Sequence, residues 1–90
     1  MSLAEHFLDI TADVCPMTFV RTRLAIEKAA PGDVVEVRLN GGEPLHNVPD
    51  SVSELGHQIL ALTDDAGRPV DRAALPADAA GPFRLRVRKR

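Results

Sequence analysis

Tryptophan and tyrosine are absent from the 90 residues, and phenylalanine occurs only three times. With so few rings to stack on bases, a nucleic-acid platform is disfavoured, and nucleic acid is not expected as a partner. Cys15 is the one cysteine. No internal disulfide can therefore form, and no cysteine pair can hold a structural zinc. No apolar run approaches the ~20 residues of a membrane span. The opening MSLAEHFLDI is acidic and lacks a basic segment followed by an apolar core. No secretory leader is expected from it, and a reduced, cytoplasmic setting is the default. The glycine-rich NGGEP at 40–44 matches no phosphate loop and reads as a turn. His6, His46 and His57 fall on a strand, a loop and a helix end, without ligand spacing. Neither a metal nor another cofactor is expected.

What is present is enough to fold. The chain is 9.7 kDa, 44% hydrophobic and 27% charged, which fits a single domain over residues 1–90 rather than a disordered segment. A chain this short buries only about 60–65% of its unfolded surface. The net charge of -2 hides an asymmetry: the last seven residues, RLRVRKR, carry five basic side chains, while all 13 acidic residues lie in 1–83.

Periodicity divides the chain into six elements. EHFLDI at 5–10 reads as a strand with Leu8 and Ile10 on one side and Asp9 on the other. Pro16 suits the first position of a helix running to Ala30, where Pro31-Gly32 ends it. Its apolar residues form two stripes, Val20/Leu24 and Phe19/Ile26/Ala30, so packing on more than one side is expected. DVVEVRL at 33–39 alternates, with Val35, Val37 and Leu39 facing one way and Val34, Glu36 and Arg38 the other. A second helix is expected from Val48 to about His57, stopped at Gly56. QILALT at 58–63 is a third strand. Residues 64–82 are turn-rich, with room for a helical turn at 71–75, and FRLRVRK at 83–89 is a fourth strand. The order β-α-β-α-β-β predicts an α/β two-layer sandwich. It would consist of a four-stranded mixed sheet with both helices on one face, because the crossovers must be right-handed. Arg84, Arg86 and Arg88 then line the open face. They read either as a solvated row or as a docking surface for an acidic partner or RNA.

Cys15 is the only soft nucleophile. Before Pro16 it stands at a helix start, where free backbone N–H groups and the helix dipole favour thiolate. The alternative is a small buried hydrophobe. A dithiol oxidoreductase needs a resolving thiol, usually two residues from the attacking one, and position 17 is Met while Thr18 follows. A lone thiolate can still accept a sulfane sulfur as a persulfide and release it again. Asp13 places a negative charge close by, which opposes thiolate formation. A Cys–His acyl-transfer pair lacks an orienting group.

Several motifs recur together. Leu8-Asp9 is followed six residues after Asp9 by Cys15-Pro16; Pro44 and Val48-Pro49 lead to Gly56-His57; and the chain closes on a basic strand. In these the chain resembles the TusA and SirA-like sulfur-carrier family. The resemblance implies a two-layer α/β sandwich and a Cys15 that relays sulfur as a persulfide. The donor would be a cysteine desulfurase or rhodanese and the recipient an acceptor protein, as in tRNA thiolation, molybdenum-cofactor or sulfur-oxidation pathways. It implies a carrier more than a turnover enzyme. Asp9 and Pro16 carry over as positions that shape the cysteine loop, Asp9 as a hydrogen-bond acceptor. The chain differs in having Thr18 where the family shows a second proline and Ala12-Asp13 where it shows glycine and an aliphatic residue. Its 64–82 stretch is also longer than the usual hairpin.

Overall fold

The computed structural model describes residues 5–14, 17–75 and 79–90. The elements are β1 (Glu5–Asp9), α1 (Met17–Lys28), β2 (Val34–Leu39), α2 (Glu43–Glu54), β3 (Gln58–Asp64), a 3-10 turn (Arg72–Ala74) and β4 (Phe83–Arg88). The sheet order is β1-β2-β4-β3. β1 runs parallel to β2, and β4 lies antiparallel between β2 and β3. The expected α/β architecture, with a mixed four-stranded sheet, is what forms.

The alternation of β2 and β4 decides the layers. Val35, Val37, Leu39, Phe83, Leu85 and Val87 are buried and pack with Ile10, Ile26, Ala29, Leu45, Val48 and Val52. Each of these side chains except Ala29 stabilises the fold by about 1.5–3 kcal/mol through burial. The alternate residues Glu36, Arg38, Arg84 and Arg86 form the opposite face. β1 is an edge strand and is mostly exposed, with Glu5 and Asp9 at its ends; charge on an edge discourages pairing with another chain.

α1 departs from its expected register. The buried residues are Thr18, Thr22 and Ile26, while Val20 and Leu24 are 38% and 49% exposed and Ala30 is exposed. A threonine can be buried here because its hydroxyl finds a partner inside the helix: Thr22 Oγ1 donates to Thr18 O at 2.8 Å. At the far end Lys89 Nζ donates to Glu27 O and Ala29 O, a cation on the negative end of the helix.

α2 begins five residues before the expected Val48. Gly42 is its N-cap and Pro44 lies in its first turn, where a missing N–H costs nothing; Pro49 is inside the helix. Pro49 cannot donate to Leu45 O, and Arg72 from the β3–β4 connection approaches that carbonyl at 3.5 Å and His46 O at 3.2 Å. Gly56 ends the helix as expected. Its φ is +90°, and Gly56 N–H donates to Ser53 O and His57 N–H to Val52 O, a Schellman stop. Gly41 serves a different purpose from the expected turn alone. A Cβ there would fall 1.6 Å from Ala79 O, and Gly41 N–H donates to Ala80 O at 2.8 Å. The second strand and the long connection meet backbone to backbone at this point.

Candidate functional site

Cys15 and Pro16 lie outside the described residues, which flank them on both sides. β1 ends at Asp9, and Ile10 N–H still donates to Arg38 O at 2.9 Å, so the loop leaves the sheet only after Ile10. Asp13 N–H donates to Ile10 O, and Met17 N–H to Val14 O, at the entrance to α1. Thr18 follows on the buried face of α1.

Three side chains hold this loop. Asp9 Oδ1 accepts from Thr11 N–H at 2.8 Å and from Thr11 Oγ1 at 2.7 Å. These bonds, then Arg38, hold the Asp9 carboxyl below the usual carboxylate range. Asn40 Nδ2 donates to Thr11 O at 2.7 Å. Asp13 is paired with Arg21 from the first turns of α1. Its negative charge is therefore compensated at source. The Arg21 guanidinium donates to this carboxylate.

The arginine row of β4 is divided. Arg84 donates to Glu36 and Asp65, each at 3.0 Å, and its guanidinium lies 5.5 Å from the Phe7 ring centre. Arg86 pairs with Glu36 and Glu5. Among the described residues no ion pair involves Arg88, which lies across from Val34 and Gln58. Antiparallel pairing sets Arg84 near the sheet end where the cysteine loop leaves and Arg88 at the other end. The row therefore does not form one continuous basic strip beside the loop.

Sequence reasoning did not find Arg38 and Asp65. Arg38 Nε and Nη2 donate to the two oxygens of Asp65 at 3.0 and 2.8 Å, and its Nη1 to Asp9 at 3.2 Å. Arg38, then Arg84, draws the Asp65 carboxyl down to about 2. The alternation of β2 put Arg38 on the right face. Nothing local marked Asp65 as its partner, 27 positions away.

Among the described residues no group of three histidine or acidic side chains could hold a metal ion, and no helix is long and apolar enough to cross a membrane. A cleft of about 490 Å³ lies between α2 and the β3–β4 connection, lined by His46, Asp50 and Arg72 among others.

A pinned strand-to-helix loop bearing the chain's single thiol, on a two-layer sandwich, defines a small one-cysteine α/β protein. A family model described as sulfurtransferase TusA matches residues 6–69. The chain belongs to the TusA family. It is 36% identical over 59 residues to a "putative sulfur carrier protein" of Archaeoglobus fulgidus, covering 66% of this chain and 67% of that one. It is 32% identical over 57 residues to a protein of the same description from Thermotoga maritima, covering 63% and 72%. The matched family span stops inside the β3–β4 connection and so does not reach β4.

Proposed function

We propose that the chain, acting as one domain in the cytoplasm, carries sulfane sulfur as a persulfide on Cys15. The observation that carries this reading is the position of the only thiol of a TusA-family chain, between a loop pinned at Asp9, Thr11 and Asp13 and the first turn of α1. The Cys15 thiolate attacks the outer sulfur of a donor persulfide. The donor S–S bond breaks, the donor cysteine leaves as thiolate, and Cys15 holds the new S–S bond with its terminal S–H. An acceptor nucleophile then takes the outer sulfur, and Cys15 leaves as the thiolate it began as. No second thiol and no net oxidant is required.

The neutralised Asp13 favours this chemistry, since an unpaired carboxylate would raise a neighbouring thiol pKa. Val14, Met17, Val20 and Leu24 are exposed; the last three share one face of α1 and Val14 precedes them. Such an apolar stripe suits a protein donor, a cysteine desulfurase or rhodanese, and a protein acceptor. The alternative role, a non-catalytic module docking an acidic partner on Arg84, Arg86 and Arg88, has less to offer, because two of those guanidiniums already hold carboxylates.

Intact-mass spectrometry after incubation with a cysteine desulfurase and free cysteine tests the reading. Wild type is expected to gain one sulfur atom, removable by reductant. Cys15→Ala is expected to gain none while keeping the wild-type circular dichroism spectrum. Equal loading of that variant would refute the persulfide role.

A further inference from the structure

The loop after β1 has a structural difficulty. β1 is an edge strand, hydrogen-bonded to β2 alone. Beyond Ile10 the described residues of the loop pair with no strand, and apart from the turn bonds of Asp13 N–H to Ile10 O and Met17 N–H to Val14 O they are held by side chains. Asp9 Oδ1 takes both donors of Thr11, and Asp9 Oδ2 is held by Arg38. Arg38 is in turn gripped by both oxygens of Asp65, from the start of the β3–β4 connection.

This chain of contacts also resolves a conflict in the sheet. Arg38 of β2 lies directly opposite Arg84 of β4. Like charges opposite one another repel. Asp65 accepts from both guanidiniums, from Arg84 Nε at 3.0 Å, and so lets Arg38 stay directed along the sheet toward Asp9. A planar guanidinium held at two nitrogens has little freedom left, and its third nitrogen is thereby aimed.

From this we infer that Arg38 and Asp65 are positioning residues for the cysteine loop, acting through Asp9 and Thr11. The inference deepens the persulfide reading and rests on it only for the meaning of sulfur transfer. In the proposed role both act through Asp9 and Thr11. They set how firmly the segment leading to Cys15 is held.

Two measurements on Asp65→Asn, Asp65→Glu and Arg38→Lys test it: amide hydrogen exchange, and the pH profile of Cys15 alkylation by iodoacetamide. In Asp65→Asn and Arg38→Lys, exchange at Thr11–Asp13 is expected to rise about two- to fivefold, the scale of one exposed ion pair. Exchange at Val35, Val37 and Leu85 should stay at the wild-type value, and the alkylation profile should shift. Asp65→Glu, which keeps the carboxylate, should restore much of both. Arg38→Lys should not be rescued, because an ammonium cannot bridge two carboxylates in one plane. An alkylation profile and loop exchange identical to wild type would overturn the inference. So would acceleration spread evenly over the sheet, which marks only lost stability. A profile that responds in a protein that never loads sulfur would sink the carrier role and leave the strut standing. Normal loading with an unresponsive profile would do the reverse.

Discussion

The two faces of β2 and β4 come from the same strands and do different work. Toward the helices, Val35, Val37, Leu85 and Val87 are completely buried. Toward solvent, Asp9, Arg38, Asp65, Arg84, Glu36, Arg86 and Glu5 alternate in sign across three strands and a turn. The inner face is non-directional and supplies stability. The outer face is directional and adds little stability, since exposed pairs are screened and cost side-chain entropy. What it adds is geometry at the sheet end that carries the cysteine loop. A charged sheet face is thus neither simply solvated nor simply a docking surface.

The sharpest way to break this comparison is to mutate neighbours on one strand. Leu85→Ala should cost about 2–5 kcal/mol in denaturant unfolding. Arg86→Ala, one residue on, should cost about 1 kcal/mol or less. Equal losses would erase the distinction. Gly41→Ala tests whether the long connection is truly seated on the sheet end. With its Cβ aimed at Ala79 O, the variant should lose about 1–3 kcal/mol, the cost of overpacking. An unchanged midpoint would mean that the connection moves freely.

Acid separates the faces without mutation. The Asp65 carboxyl sits at about 2, held down by Arg38 and then Arg84, and Asp9 is lowered as well. A depressed carboxyl contributes stability above its unfolded value of about 3.9, and that contribution is lost as pH falls through the folded value. The outer face should therefore hold at pH 5 and weaken between about pH 4 and 2, and Asp65→Asn should flatten that part of the curve. A slope unaltered by the substitution would show that other carboxylates govern it. The smallest effect belongs to Arg88→Gln. With no ion pair to lose among the described residues, it should stay within about 0.5 kcal/mol of wild type.

Alternation and turn residues carried most of the fold. β2 and β4 could be assigned to faces residue by residue, and Gly56 marked its helix stop. The register of α1 could not be read, because hydropathy ranks Val20 and Leu24 above Thr18 and Thr22. The hydroxyl of Thr22 is satisfied within the helix itself, which makes the threonine face the better one to bury. The start of α2 was hidden by two prolines, one harmless in a first turn and one compensated by Arg72 from a distant segment. At the candidate site, Cys15 was singled out as the only soft nucleophile, and Asp9 by the resemblance to the TusA and SirA-like family. The pairings Arg38–Asp65 and Arg21–Asp13 depend on tertiary approach, and no local pattern announces them.

The strand order has a consequence for how the protein comes to exist. β4, which follows β1, β2 and β3 in the chain, occupies an interior place in the sheet between β2 and β3, which do not pair with each other. Until residues 83–88 are synthesised, β3 has no strand to join, and half the hydrogen-bonding edge of β2 is open. Glu36 meets Arg86 fifty positions later in the chain. Such distant pairings are slow to close and come late. The sheet therefore cannot close before β4 is available. A nascent chain or proteolytic fragment lacking β4 should offer two strand edges for wrong partners, the point where chaperones would be needed most.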